Sequence, residues 1–249
     1  MLARMEQEIA EYWPLIGHRR RLLDVCAGTG EFAFLAKHLG LDVEVLEPNP
    51  DYAIHCNRIL GLDVQTHTFW DTDYPAGSFD IIRIHHLLVH ARDPLGQLRR
   101  LQDWLKDDGL LYIELPNLEA DAAARSRGAL FDAGHVMNFN PATLRSALGV
   151  AGFTEAEQTT ERHKGTTAGF FRKSNPGDRV RYVAGNAQRV SDAITKHYAR
   201  AKPHASLGRL VEAIASRAAE RRELKAVSGH RDAAEQTVER LKAKLSLLK

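Results

Sequence analysis

The chain has 249 residues, 44% of them hydrophobic, which is enough for one substantial core and an appendage. Its net charge of +2 hides an asymmetry: residues 1–195 hold 21 Lys and Arg against 26 Asp and Glu, a balance of −5, and residues 196–249 hold 13 against 6, a balance of +7. The sequence has no run of 18 apolar residues that would span a membrane, and the acidic larger part argues against a nucleic-acid substrate.

The first predicted elements are a strand, a glycine-bearing turn and a helix. Residues 22–25 are a short, mostly apolar strand, residues 26–30 form the turn, and the apolar run 32–36 opens the helix. A strand that passes directly into a helix places a ligand at its carboxyl end, against the helix N-terminus. Gly28 and Gly30 lack a Cβ atom, so the backbone there can approach a ligand closely and adopt positive φ.

A second strand, residues 42–46, ends at Glu47. A carboxylate at this position can accept hydrogen bonds from both hydroxyls of a ribose. The fingerprint of dinucleotide-binding proteins is incomplete, because Ala33 stands where its third glycine would be. Glu31 would repel a pyrophosphate but tolerates a ligand that carries an ammonium or sulfonium group. The pattern therefore predicts a nucleoside-containing cofactor without a pyrophosphate.

Residues 23–30 resemble the first motif of the class I S-adenosylmethionine-dependent methyltransferases, with Cys26 in place of its first glycine. The resemblance implies S-adenosylmethionine as the cofactor. Asp24 would organise the loop or meet the methionine ammonium through water, Thr68-Phe69-Trp70 would contact the adenine edge unless Phe69 is only core packing, and one of two histidines after the fourth strand would line the methionine or acceptor site. The cofactor-binding residues that we predict are Asp24, Cys26, Ala27, Gly28, Gly30, Glu47, Pro48, Thr68, Phe69, Trp70, His85 and His86.

The resemblance continues along the chain to about residue 173. Residues 75–82 are similar to the turn and fourth strand of the family, and residues 84–90 to the "His-x-Leu-Glu-His" segment of a bacterial subgroup, with Val89 in place of Glu. Residues 134–153 are similar to a later stretch of that subgroup, which methylates sugars, polyketides and other small metabolites. The implied fold is an α/β, doubly wound, seven-stranded and mostly parallel sheet with an antiparallel last strand, within a domain of residues 1–173.

Two histidines are candidates for the catalytic base. Methyl transfer to a hydroxyl is an in-line displacement that a nearby base assists by taking the hydroxyl proton, and histidine suits that role near neutral pH. We favour His135, which lies in a motif of the subgroup, over His90. His86 and His90 are four residues apart, but no compact Cys/His ligand spacing is present, so we predict no metal.

The basic tail has apolar residues at the spacing of a coiled coil. We predict a helical linker over residues 174–202 and a coiled coil over 203–249 that joins a dimer or trimer through residues 207–249. A helical hairpin folded back on the catalytic domain, or a basic helix in contact with a membrane or an acidic partner, are the alternatives. The rhythm stops at Lys249 without a helix-stop signal, as in a longer chain cut within its coiled coil. The seam residues are Leu207, Val211, Ile214, Ala218, Ala234, Val238, Leu241, Leu245 and Leu248.

The sequence therefore predicts an O-methyltransferase of a small molecule or glycan, with bacterial surface polysaccharide among the candidates. A C-methyltransferase acting on a nucleotide sugar or polyketide is one alternative, and an interaction protein on a methyltransferase scaffold is another. The two cysteines, Cys26 and Cys56, do not form a disulfide framework, and they are expected to be free thiols. With no apolar leader in the sequence, we expect a cytoplasmic protein, in peripheral contact with the inner membrane if the tail binds lipid.

Overall fold

The computed structural model describes residues 2–124, 131, 134–156, 165–175, 183–200 and 235–243. Two short 3-10 turns, Phe69–Asp71 and Leu88–His90, accompany the helices and strands. The helices are α1 (Leu2–Ile16), α2 (Glu31–His38), α3 (Pro50–Arg58), α4 (Pro94–Trp104), α5 (Leu118–Ala124), α6 (Pro141–Val150) and α7 (Asn186–Arg200). The strands are β1 (Arg21–Val25), β2 (Asp42–Leu46), β3 (Asp63–Gln65), β4 (Phe79–His85), β5 (Leu105–Pro116), β6 (Phe153–Glu155) and β7 (Thr166–Lys173).

The seven strands form one mixed sheet in the order β3-β2-β1-β4-β5-β7-β6. β1 runs parallel to both β2 and β4, β2 runs parallel to β3, and β6 pairs antiparallel with β7. The predicted seven-stranded sheet is confirmed, and its last strand in the chain, β7, runs antiparallel to its neighbour β6 as predicted. Val25 is level with Leu46 of β2 and Ile84 of β4, so these three strands end at the same edge of the sheet.

The chain divides into two compact units. The first comprises Met1–His85, Asp103–Leu111 and Leu224–Lys249, and the second comprises His86–Gln102 and Tyr112–Glu223. In the first unit the apolar faces of α1 and α2 meet the apolar side chains of β1 and β2 in one core cluster. α3 begins at Pro50, where the missing N–H costs no hydrogen bond, and the side chain of Asn49 accepts hydrogen bonds from the first turn.

Residues 235–243 are helical, and the side chains of Val238 and Leu241 lie in this same core. Val238 is 2% exposed and Leu241 is 0% exposed, and Arg240 forms an ion pair with Glu6 of α1 at 3.3 Å. Val238 and Leu241 therefore do not form the seam of an intermolecular coiled coil as we predicted, and they fit the alternative of a tail that folds back. The other predicted seam residues, Leu207, Val211, Ile214, Ala218, Ala234, Leu245 and Leu248, lie outside the described residues.

In the second unit, α6 is closed at its N-terminus by a capping box between Asn140 and Thr143. The Asn140 side chain also donates a hydrogen bond to Asn186 at the start of α7 (2.8 Å). Arg189 of α7 lies 3.4 Å from Glu119 of α5 in an ion pair. The helical part of the predicted linker thus packs on α5. Among the described residues, none of the helices has the length and apolar character that a membrane span requires.

Candidate functional site

The turn that follows β1 is built from three residues in the left-handed region of backbone space. They are Cys26 (φ 57°), Gly28 (φ 61°) and Gly30 (φ 80°). The Cys26 N–H donates to the carbonyl of Leu46 at the end of β2 (2.7 Å), which fixes the turn against the neighbouring strand. For a residue with a Cβ atom this conformation costs roughly 1–2 kcal/mol. This cost explains why the motif that the turn resembles has glycine at the position of Cys26.

The two glycines of the turn serve different purposes. A Cβ atom at Gly28 would meet no protein atom within 4 Å, so this backbone faces open space in which a ligand can approach. A Cβ atom at Gly30 would lie 2.6 Å from Cys56 Sγ and 3.1 Å from Leu62. Gly30 is therefore needed for the packing of the turn against α3 and the residues after it. The sequence had assigned both glycines to ligand approach.

Glu47 follows the last residue of β2 and is 4% exposed. One carboxylate oxygen accepts a hydrogen bond from the N–H of Gly28 and the other from the N–H of Asn49, both at 2.8 Å. Burial raises the pKa of Glu47, and these two donors oppose the rise. Since a carboxylate has about four acceptor sites, Glu47 can hold the glycine turn and still accept the hydroxyls of a ribose.

Asp24 lies on β1 directly beneath the turn and is completely buried. Its Oδ1 is 3.0 Å from the guanidinium of Arg83 on β4, which is buried as well. The same guanidinium lies over the ring of Phe32, 4.1 Å from its centroid, in the first turn of α2. Burial raises the pKa of Asp24, and the charge of Arg83 opposes this. Sequence reasoning missed Arg83, although a lone arginine among the isoleucines of a buried strand is a signal that could have found it.

Cys26 and Cys56 are free thiols, as expected. Cys56 Sγ donates a hydrogen bond to the carbonyl of Gly28 (3.3 Å), so it supports the turn from below. Burial, with a smaller contribution from the carboxylates of Glu47 and Asp24, raises the pKa of both thiols to about 12. Both side chains therefore stay protonated near neutral pH and are poor nucleophiles.

The predicted adenine segment forms the 3-10 turn at Phe69–Asp71. Phe69 is buried and packs on Trp104, with ring centroids 5.1 Å apart, so it belongs to the core. Trp70 is exposed, and the hydroxyl of Thr68 donates to Asp71 (2.5 Å). Of the other predicted cofactor residues, Pro48 is exposed and Ala27 is half-buried within the turn.

His85 ends β4, and His86 follows it with a φ of 56°. The backbone N–H of His86 donates to the carbonyl of Glu114 (2.8 Å), and its Nε2 lies 3.8 Å from the carboxylate of that residue. Glu114 is completely buried on β5 and accepts a hydrogen bond from the hydroxyl of Tyr112 (3.0 Å). Glu114 and Tyr112 were not predicted as site residues. A single carboxylate within the apolar run 110–115 is the signal for this network.

The two candidate bases lie side by side in the second unit. The rings of His90 and His135 have centroids 5.0 Å apart and meet at 67°. The Nδ1 of His90 is 2.8 Å from the carbonyl of Gly134, and the N–H groups of Val136 and Met137 both donate to the carbonyl of Val89. Because a carbonyl oxygen only accepts, Nδ1 of His90 carries a proton, and in the neutral ring Nε2 keeps the lone pair that a base needs.

A family model described as "Methyltransferase domain" matches residues 1–158. An uncharacterized methyltransferase of Staphylococcus carnosus strain TM300 is 31% identical over 99 residues, which cover 37% of this chain and 45% of that protein. The chain thus spans less than half the length of this curated relative.

Solved structures share the fold at low identity. A protein of Pyrococcus horikoshii OT3 has a TM-score of 0.57 and 14% identity, with 68% of this chain and 90% of that one covered. A SAM-dependent methyltransferase of Archaeoglobus fulgidus has a TM-score of 0.56 and 19% identity over 70% and 95%. The 1,6-didemethyltoxoflavin-N1-methyltransferase of Burkholderia thailandensis, solved with bound S-adenosylhomocysteine, has a TM-score of 0.54 and 19% identity over 70% and 79%. The family model and these structures confirm the Rossmann-like methyltransferase fold.

Proposed function

Because this chain belongs to the family of methyltransferase domains, we propose that it transfers the methyl group of S-adenosylmethionine to a hydroxyl of a small molecule or glycan. The sulfonium carbon is already activated by its charge, so the protein mainly has to align donor and acceptor and to take up the hydroxyl proton. In this proposal the glycine turn and Glu47 hold the adenosine part of the cofactor.

The observation that carries the proposal is the pairing of His90 with His135. Two imidazoles that the sequence separates by 45 positions lie in ring contact, and the Nδ1 of His90 is held by the backbone carbonyl of Gly134. A hydroxyl acceptor needs a base of this kind, whereas an acceptor with a free amine lone pair does not. We assign the base to this pair, with His135 as the first candidate and His90 as the second.

The cofactor is tested first, by calorimetric titration of the full chain with S-adenosylmethionine and S-adenosylhomocysteine. Failure of both ligands to bind at millimolar concentration would favour a scaffold protein over an enzyme. A panel of nucleotide sugars, glycans and polyketide-like phenols is then screened for S-adenosylhomocysteine release. The position of the new methyl group, read by NMR of the product, separates O-methylation from C-methylation.

The base is tested with the accepted substrate. We expect His135→Ala to lower turnover on the order of 10²–10⁴-fold while the dissociation constant of the cofactor changes less than about twofold. A loss confined to His90→Ala would transfer the role to His90. His38→Ala is the matched control, because His38 is an exposed histidine at the C-terminal end of α2.

We propose self-association through fewer residues than the sequence pattern predicts. Val238 and Leu241 are buried inside their own chain, so a seam between copies would use other predicted seam residues, among them Leu207, Val211 and Ile214. Light scattering on the full chain and on Ile214→Asp tests this. A dimer or trimer that the substitution converts to a monomer supports the seam, and a monomeric full chain contradicts it.

A further inference from the structure

We infer that Arg83 is a positioning residue for the glycine turn of residues 26–30, and that Asp24 acts through Arg83 instead of touching the cofactor. Asp24 and Arg83 face each other in register in the parallel pair of β1 and β4. Their side chains are 0% and 4% exposed, and both carboxylate oxygens of Asp24 are shielded from solvent. Neither oxygen is thus exposed for direct contact with a ligand above the turn; Oδ1 has Arg83 as its partner, and Oδ2 has no hydrogen-bond partner.

The guanidinium links three elements that shape the turn. It pairs with Asp24 at the end of β1, it belongs to β4, and it lies over the ring of Phe32 in the first turn of α2. A buried ion pair of this kind contributes little net stability, but the loss of one partner leaves an uncompensated buried charge. The unpaired charge would attract water or a proton, which would shift the last residues of β1. Cys26, Ala27 and Gly28 follow β1 directly, so the turn would shift as well.

The arrangement also decides between two roles that the sequence left open for Asp24. If Asp24 met the ammonium of the methionine part, its substitution would weaken only ligands that carry this part. If the ion pair sets the position of the turn, its substitution weakens every ligand that lies on the turn, with or without the amino-acid end.

The test compares two ligands by calorimetry on the full chain. S-adenosylhomocysteine carries the amino-acid end, whereas 5′-methylthioadenosine has the same adenosine and sulfur but lacks it. We expect Asp24→Asn and Arg83→Gln each to weaken both ligands by the same factor, on the order of 10-fold or more. We expect the double variant to recover most of this loss, because a neutral Asn–Gln pair can hydrogen-bond without a buried charge.

Two further variants keep the test decisive. Lys106→Met removes an ion pair to Asp80 near the opposite, N-terminal end of β4, so it should leave both affinities unchanged. Arg83→Lys keeps the cation but loses the guanidinium plane over Phe32, so it should weaken both ligands by one common factor that is smaller than for Arg83→Gln; this remains measurable even if a charge-removing variant does not fold. Weakening of S-adenosylhomocysteine alone, or strictly additive effects in the double variant, would overturn the inference.

The inference rests on S-adenosylmethionine as the cofactor of the proposed reaction, and the two can fail separately. Absence of S-adenosylhomocysteine binding by the wild type contradicts the proposed function. Normal wild-type binding with ligand-selective effects of Asp24→Asn contradicts only the positioning role of Arg83.

Discussion

Replacement of Leu241 by alanine should destabilise the methyltransferase domain itself. Leu241 is 0% exposed and lies in the core cluster with α1, α2 and β2, so the substitution removes buried methyl groups and leaves a cavity. Leu→Ala changes of this kind cost about 2–5 kcal/mol. For a chain of this size, each kcal/mol lowers the melting temperature by roughly 2–4 °C, so we expect a shift of roughly 4–20 °C.

The assay is thermal and urea unfolding of the full chain, with the molar mass followed by light scattering on the same samples. Lys242→Ala is the control, since Lys242 is exposed on the same helix and forms an ion pair with Glu239 of its own helix at 2.9 Å. This surface change should alter the free energy of unfolding by less than about 0.5 kcal/mol. An unchanged melting temperature in Leu241→Ala, together with a drop in molar mass, would show that Leu241 is a seam residue between copies and would refute our reasoning.

Three further predictions concern the turn of residues 26–30 and the residues that contact it. Glu47→Ala should weaken S-adenosylmethionine binding by roughly 1.5–3 kcal/mol in calorimetry, because it removes a charged acceptor from the site; unchanged affinity would mean that the ribose is held elsewhere. Gly30→Ala should lower the melting temperature more than Gly28→Ala, since the new Cβ would lie 2.6 Å from Cys56 Sγ. Adding Cys56→Ala should restore part of this loss. Gly28→Ala should mainly lower the affinity for the cofactor. Iodoacetamide should alkylate Cys26 and Cys56 far more slowly in the folded protein than in urea at pH 8, and fast alkylation would contradict the burial of the thiols. The free energy of unfolding should also fall as the pH rises from 9.0 towards 12, because the folded state holds the thiol protons more tightly than the unfolded state does.

The sequence could predict the part of the site that depends on local chain order. The turn after β1 and the carboxylate after β2 are both set by where a strand ends, and the parallel register then brings Glu47 to Gly28. The sequence could mark Arg83 as unusual, but it could not name the partner of this arginine. Its role depends on the pairing of β1 with β4, which are separated by two helices and two strands, and no local pattern names the partner of a lone charge.

The tail shows a different limit of sequence reasoning. A spacing of three and four residues indicates only that a helix has one apolar face, and this face can be covered by another copy or by the chain's own core. The charges did not predict this packing either. Arg240 belongs to the basic tail, whereas its ion-pair partner Glu6 lies in the acidic part of the chain. The charge asymmetry that indicated two separate objects is therefore also compatible with attraction between them.

Backbone strain occurs directly after two central strands. In the described parts of the chain, Cys26 and His86 are the two residues other than glycine with positive φ, at 57° and 56°. Each follows the carboxyl end of a central strand, β1 or β4, at the edge where ligands bind in open α/β sheets. Such conformations cost of order 1–3 kcal/mol and persist only where the surroundings enforce them, as the backbone bonds to Leu46 and Glu114 do in this fold. Substitution by glycine should therefore be tolerated better than substitution by alanine at both positions, and a more stable alanine variant would show that neither turn is strained.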